Sequence, residues 1–312
     1  MDPFFVNDLK ESAISANCFM SSISIVASLF LIVLFLFQDN LRSLNYFFLF
    51  IMAISELLGN VSYIIIHLLL HENTTSKWVV VLNTIIIHSD TSISLFLFLV
   101  GYTINLLIVK GERNLDQKKL FYILIGLAVS LVYTILFSII DYNVMKKNDD
   151  SSYIIRYGHY EDGKFSFGSR VFELIHYIIL LALTVVGDWF FMGTMSHLST
   201  KSLEDKQNGW KLMKTRNLML NYPLVGTLWI AFNLFSLVFN NLISSSDTMT
   251  NVKLRTIYIF ITFANAFTYL RGLFICLIFI TSKKVKKILD TAIEKLSLCM
   301  QKLNMFHNQN TF

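Results

Sequence analysis

The stretch CFMSSISIVASLFLIVLFLF, residues Cys18–Phe37, contains 20 residues and no charged side chain. A helix of this length, rising about 1.5 Å per residue, matches a hydrocarbon core about 30 Å thick. Because a backbone in lipid must satisfy its own hydrogen bonds, such a run is predicted to be a helix. Six more apolar runs alternate with polar segments: Asn45–Leu70, Asn83–Val109, Leu120–Ile140, Val171–Met195, Met219–Ile243 and Thr256–Thr281. The sequence therefore predicts an all-α membrane protein, built as a seven-transmembrane helix bundle.

The composition agrees with this architecture, since 54% of the residues are hydrophobic, 15% are charged and the mean hydropathy is +0.58. Seven spans use almost all of the 312 residues and leave no room for a second globular domain. We expect residues 1–17 to form an extracellular N-terminus and residues 18–281 to form the bundle. Residues 282–312 are then a cytoplasmic amphipathic helix and a short tail.

Four lysines lead the tail, and its apolar residues follow at three- and four-residue spacing. This pattern is typical of an interfacial helix that lies on the inner leaflet of a membrane. Cys299 lies at the edge of the apolar face, where it is a candidate for S-acylation. A plain buried thiol is the alternative.

The basic residues predict the orientation of the chain. With the N-terminus outside, the inner segments contain 16 basic residues and the outer segments contain nine, which favours a cytoplasmic C-terminus. Asn73 begins an Asn-Thr-Thr glycosylation sequon in a segment that this orientation places outside. The net charge of +5 is explained by topology and by attraction to anionic lipid, not by nucleic-acid binding. We expect a plasma-membrane protein, although the sequence does not distinguish this membrane from an internal one.

Two residues of opposite charge lie inside predicted spans, where each costs about 2.5–3.5 kcal/mol on insertion scales. Glu56 of the second run and Arg271 of the seventh both lie roughly 15 Å from the cytoplasmic face. Equal depth and opposite charge allow an intramembrane ion pair. Such a pair would act either as a hinge that holds the resting helix arrangement or as structural glue. Asp188, nearer the cytoplasmic end of the fifth run, would either meet a basic residue of the third inner loop or respond to protons.

Polar side chains in the outer half of the spans outline a candidate pocket for a small polar ligand. Taken singly, each of them is better explained by an interhelical hydrogen bond, and only together do they outline a pocket. A tryptophan would lie beneath them, closer to the midplane. The candidate ligand-binding residues are His67, His88, Asp90, His176, Trp229, Asn233 and Asn265.

The approach to the sixth run contains a longer motif, RNLMLNYPLVGTLW, from Arg216 to Trp229. It resembles the sixth helix of the slime-mould cyclic-AMP receptor and fungal glucose-sensing receptor families. The segments Leu41–Leu44 and Ile54–Leu58, which includes the acidic Glu56, are similar to the same families. The resemblance covers the seven-helix core, but it does not extend to the ligand.

The resemblance implies a G-protein-coupled receptor whose sixth helix opens toward the cytoplasm and engages a heterotrimeric G protein. Pro223 would kink that helix just inside the cytoplasmic face, either as a hinge or as a static bend. Tyr222 and Pro223 would then form an intramembrane switch together with Glu56 and Arg271. The basic residues expected to contact the G protein are Arg42, Lys110, Arg113, Lys214 and Arg216; the alternative is that they only set the topology.

Other chemistries receive no support from the sequence. No span contains a lysine that could hold retinal, the common catalytic motifs are absent, and the histidines lack metal-ligand spacing. We therefore expect no enzyme activity, no cofactor and no metal. The rival function is a small-solute or proton transporter using Glu56 and Arg271. Against it stands the absence of repeat halves and of helices broken by glycine or proline. A structural subunit that requires a partner helix is the third possibility.

Overall fold

A computed structural model of the chain describes residues 3–38, 41, 43–69, 77–112, 114–147, 167–204, 226–232, 234–235, 256, 259–260, 262–264, 267–280 and 290–291. Within these ranges the regular secondary structure is helical and no strand occurs. Six helices have defined bounds: α1 (Pro3–Phe37), α2 (Leu44–Leu69), α3 (Lys77–Ile108), α4 (Lys119–Lys147), α5 (Phe167–Glu204) and α6 (Arg271–Ile280).

The first five helices are each long and apolar enough to cross a membrane, and they match the first five apolar runs of the sequence. Their candidate spans are Ile14–Phe37, Leu44–Leu68, Val80–Ile108, Lys119–Ile140 and Leu174–Lys201. These spans identify the chain as an all-helical, multi-pass membrane protein. Several helices continue past the apolar runs, because hydropathy reports where lipid is crossed and not where backbone hydrogen bonding stops.

The seventh run is helical in two pieces. Thr262–Tyr269 and α6 together have the length and apolarity of a span if they are counted as one. Of the sixth run, the structure describes residues 226–232 and 234–235, which are helical. The amphipathic tail lies outside the described residues apart from residues 290–291, so seven spans and the interfacial helix remain predictions.

Helix α3 is the centre of the described bundle, since it packs against α2, α4 and α5. Small residues allow close approach, as is usual for helices that pack in lipid. A Cβ atom added to Gly101 of α3 would lie 2.7 Å from the carbonyl oxygen of Gly187 on α5. A Cβ atom added to Gly59 of α2 would meet the hydroxyl of Ser89 on α3 at 2.6 Å. These glycines therefore set how near α2 and α5 come to α3.

At one end of the bundle, the loop after α3 contacts the first residue of α2. The backbone amide of Leu44, the first residue of α2, donates to Asp116 Oδ1 at 3.0 Å, so the loop after α3 caps α2. Gly111 turns the chain at the end of α3 with a φ of 69°, a conformation that favours glycine. Beside it, Glu112 accepts a hydrogen bond from the exposed Lys118, which raises the pKa of that amine. The loop after α3 is thus tied to the start of α2.

The outward faces of the bundle are apolar. Helix α4 exposes Leu120, Leu124, Leu131 and Ile135, each more than four-tenths accessible. A soluble protein rarely leaves such a face uncovered, but lipid is the solvent that it suits.

Candidate functional site

The buried centre of the described bundle is built around Arg271, the first residue of α6. Its Nε donates to Glu56 Oε2 at 2.6 Å, and its Nη2 donates to Asp90 Oδ1 at 3.0 Å. Arg271, Glu56 and Asp90 are 5%, 1% and 6% exposed, respectively. The ion pair that equal depth allows between Glu56 and Arg271 is therefore formed, and it includes a second carboxylate that the sequence analysis had assigned elsewhere.

Donors surround the Glu56 carboxylate. While Oε2 accepts from Arg271, Oε1 accepts from Asn60 Nδ2 at 2.8 Å, from Ser24 Oγ at 3.1 Å and from the backbone amide of Gly272 at 3.2 Å. Hydrogen bonds to a carboxylate offset the desolvation cost of burying it. Helices α1, α2 and α6 therefore converge on this one side chain.

The Gly272 amide is free to serve in this way because the seventh run is interrupted at Leu270. Helix α6 starts at Arg271, and the carbonyl of Leu270 accepts from the amide of Phe274 at 3.1 Å, so Leu270 occupies the N-cap position. Amides in the first turn of a helix have no partner within the helix, and they carry the positive end of its dipole. The Gly272 amide donates to Ser24 Oγ at 2.9 Å as well as to Glu56. Glu56 thus caps a helix that begins inside the bundle. The seventh span is broken at this point, and the sequence did not predict the break.

Trp229 brings the motif-bearing segment into the centre. The guanidinium carbon of Arg271 lies 4.2 Å from the centroid of the Trp229 ring, within the range of a cation–π contact. Trp229 is buried, and it packs with Ile230 against Tyr177 and Leu180 of α5. The one guanidinium therefore contacts α2, α3 and the segment 226–232.

A cavity of about 30 Å³ adjoins the ion centre, and Glu56, Asn60, Tyr63, Asp90 and Arg271 are among the residues that line it. This volume holds roughly one or two water molecules and is too small for a metabolite. Among the described residues, no group of three or more His, Cys, Asp or Glu side chains is placed to hold a metal ion. The arrangement is suited to holding charge, protons or water at the middle of the bundle.

Two of the predicted ligand-binding histidines take part in contacts between helices. His88 on α3 hydrogen-bonds Ser130 and Thr134 of α4, with distances of 3.2 and 3.3 Å from its Nδ1. His176 on α5 accepts from or donates to Tyr133 of α4 through its Nδ1 at 2.8 Å. These are the interhelical bonds that the sequence analysis kept as the alternative, and a ligand role for either histidine remains a prediction.

The remaining predicted site residues divide into two groups. Within the described part of the chain, His67 is buried, and the centroids of its ring and of the Tyr63 ring are 4.2 Å apart. Lys110 is also described, and it is exposed. The others lie outside the described residues: Arg42, Asn73, Arg113, Lys214, Arg216, Tyr222, Pro223, Asn233, Asn265 and Cys299.

Asp188 has a neutral partner in the structure. Thr227 Oγ1 donates to its Oδ2 at 2.5 Å, which joins α5 to the segment 226–232. Asp188 and Gly226 are among the residues that line a second cavity of about 10 Å³. The sequence left two roles open for Asp188, an ion pair with a basic residue and a response to protons. The described residues show no ion pair at Asp188, and the response to protons remains a prediction.

Sequence reasoning missed or misplaced four participants in the centre: Asp90, Ser24, Asn60 and Gly272. Asp90 was grouped with the outer pocket, although a charged residue within an apolar run was itself a signal that an opposite charge must be near. Ser24 and Gly272 carry no such signal, because small residues are common in membrane helices.

No protein-family model matches the chain, and a comparison with curated proteins gives no match either.

Proposed function

We propose that the chain is a seven-transmembrane receptor similar to the slime-mould cyclic-AMP receptors, which binds a small polar ligand from outside and activates a heterotrimeric G protein. In this proposal the N-terminus is extracellular, the C-terminus is cytoplasmic and the protein resides in the plasma membrane. The tail forms an interfacial helix after the seventh span, and Asn73 is glycosylated.

The observation that carries the proposal is the contact of Trp229 with Arg271. Trp229 ends the motif that resembles the sixth helix of those receptors, and Arg271 holds Glu56 and Asp90. A displacement of the sixth helix would therefore disturb an ion centre shared by α2, α3 and α6. A buried, hydrogen-bonded centre has few intermediate arrangements, so it supports two discrete states whose populations a ligand can shift.

The coupling end in this proposal includes the loop between α1 and α2 and the loop between α3 and α4. Asp116 accepts from the Leu44 amide, which ties the loop after α3 to α2, and Lys110 of the same loop is exposed. With Arg216 at the start of the sixth helix, this end would offer basic side chains to acidic or carbonyl groups of the G protein.

The test is nucleotide exchange on a panel of G-protein α subunits, driven by the purified protein and a broad metabolite mixture. Arg216→Glu should abolish exchange. Lys253→Glu is the matched control, because it makes the same charge reversal in a segment predicted to lie outside, and it should leave exchange unchanged. Absence of exchange by the wild-type protein on every subunit would refute the receptor assignment.

A second candidate function, a small-solute transporter, is favoured by one specific observation. The broken span at Leu270 places a helix N-terminus beside Glu56 within the bundle, and transporters commonly use discontinuous helices at their binding sites. This broken helix removes the objection that the sequence contains no glycine- or proline-broken pair of helices. Reconstitution into liposomes separates the candidates, because only a transporter moves solute without any G protein.

A further inference from the structure

Helix α5 has a carboxyl group at the middle of its candidate span. Asp188 lies near the centre of Leu174–Lys201, and at about 1.5 Å per residue it is roughly 20 Å from each end of this span. Val185 and Met192, which precede and follow it by one turn, are 54% and 56% exposed, and the adjacent Trp189 is 70% exposed. Residues three and four apart share one face of a helix. Asp188 therefore lies at the border of an apolar face that suits lipid.

The hydrogen bond of Asp188 crosses from α5 to another helical segment. Thr227 Oγ1 donates to Asp188 Oδ2 at 2.5 Å, and Thr227 belongs to the segment 226–232. Glu56 provides a contrast within the same protein, because its carboxylate accepts from a guanidinium and from three further donors. The carboxyl group of Asp188 is held by one neutral hydroxyl.

The cavity beside Asp188 supplies no compensating charge from the residues that the structure describes. Its other described lining residues are Leu97 and Phe98 of α3, Thr184, Gly187 and Phe191 of α5, and Gly226. The Thr184 hydroxyl donates to the carbonyl of Leu180 in its own helix. Another titratable side chain at this contact between α3 and α5 is Tyr102, whose ring packs against Phe190 with the centroids 5.3 Å apart. A phenol is neutral at about pH 7 and does not balance a carboxylate.

An ionised carboxylate in these surroundings would be costly, because a charge within a span requires a partner of opposite charge or several donors. We propose that Asp188 is instead a neutral carboxylic acid, so that the contact of α5 with the segment 226–232 is a proton-binding site. In this state Oδ2 is the carbonyl oxygen that accepts from Thr227, and the proton is on Oδ1. The inference uses only this contact, so it is independent of the receptor and transporter proposals.

A proton at this position links the packing of α5 to pH. Separation of α5 from the segment 226–232 would admit water to Asp188 and allow it to ionise. The separated arrangement then binds fewer protons than the packed one. By linkage, a lower pH favours the packed arrangement and a higher pH favours separation.

Infrared spectroscopy of the full chain tests the assignment, because a carboxylic acid and a carboxylate have separate carbonyl bands. The protein is reconstituted in bilayers of ether-linked phospholipid, which have no ester carbonyl, and is measured at about pH 7, where an aspartate in water is ionised. Transfer to D2O identifies an acid band by its shift. We expect Asp188→Asn, which has nearly the same size and can still accept from Thr227, to lose an acid band that the wild type shows. Asp116→Asn makes the same substitution at an exposed loop residue and should leave the acid region unchanged.

Thr227→Val keeps the shape of the side chain and removes its hydroxyl, so the acid band should remain and move to a higher frequency. This variant tests the site even if Asp188→Asn does not fold, and a band that does not move would overturn the assignment. Identical acid regions in the wild type and Asp188→Asn would also overturn it. So would a loss of carboxylate intensity in Asp188→Asn, since Asp188 would then be ionised and balanced by a cation or by a basic group of another molecule.

Discussion

The guanidinium of Arg271 contacts both the Trp229 ring, with its carbon 4.2 Å from the ring centroid, and the carboxyl groups of Glu56 on α2 and Asp90 on α3. In water this cation–π contact would contribute little, but desolvation strengthens it. Arg271 therefore joins the segment 226–232 to α2 and α3, from which this segment is distant in sequence.

Removal of the Arg271 charge should destabilise the protein strongly, because two carboxylates would remain buried without their partner. For Arg271→Met we expect a loss of about 3–5 kcal/mol, the usual cost of breaking a buried pair. The triple variant with Glu56→Gln and Asp90→Asn restores neutrality and should recover most of the loss. Thermal unfolding in detergent measures both, and a triple variant no more stable than Arg271→Met would contradict the charge argument.

Exchange of the charges of Glu56 and Arg271 should fail to rescue the single reversals. A glutamate at position 271 would face Asp90, and an arginine at position 56 would face the donors Asn60 and Gly272. Addition of Asp90→Asn to the exchanged pair removes the first of these conflicts and should improve surface expression. Full rescue by the exchange alone would show that Asp90 contributes little to the pairing.

Gly272→Ala should destabilise the contact of α6 with α1. The added Cβ atom would overlap Ser24 Oγ and lie 2.7 Å from Ser28 Oγ, and overpacking of this kind costs about 1–3 kcal/mol. Gly193→Ala on α5 is the matched control, because its Cβ atom would meet its nearest neighbour, Asn105 Nδ2, at 3.4 Å. Thermal unfolding of both variants checks the prediction; equal stabilities would mean that α1 moves aside at little cost.

The coupling between Trp229 and Arg271 can be isolated by a double-mutant cycle. Trp229→Leu removes the aromatic face, and we expect about 1–2 kcal/mol of interaction energy with Arg271→Met beyond the loss of packing. Trp229→Phe keeps an aromatic ring and should retain part of this energy. Additive effects of the two single substitutions on thermal unfolding would rule out a specific contact.

Asp116→Ala should weaken the contact between the loop after α3 and the start of α2, because the Leu44 amide would lose its acceptor. The cost is about 1 kcal/mol, as for other helix caps. Asp116→Asn keeps an oxygen at the same position and should be nearly neutral. Hydrogen exchange of the first turn of α2 reports the change locally; equal exchange in the two variants would show that the cap is not made in solution.

The sequence predicts some features of the fold and of the ion centre but not others. The first five spans follow from the apolar runs, and the pairing of Glu56 with Arg271 follows from opposite charges at similar depth. The placement of Asp90 does not follow, because its depth by residue count suggested the outer half of the bundle. Asp90 reaches Arg271 because the arginine side chain is long and because of the positions of α3 and α6 in the bundle. A local sequence pattern does not show where one helix lies relative to the other. The break at Leu270 is also not marked by a proline in the sequence. The Gly272 amide, which the break leaves without a partner in its own helix, donates to Ser24 and Glu56 instead.

By itself, the sequence determined that this chain is a helical, multi-pass membrane protein with charges inside its spans. The physical reason is that the free energy of transfer into lipid is summed over consecutive residues, so a run of 20 apolar side chains decides it locally. Only the tertiary structure decided which side chains share the buried charge. Arg271 meets Asp90 across 181 positions and Glu56 across 215, and contacts of that separation depend on how whole helices pack, where small residues such as Gly272 permit the approach.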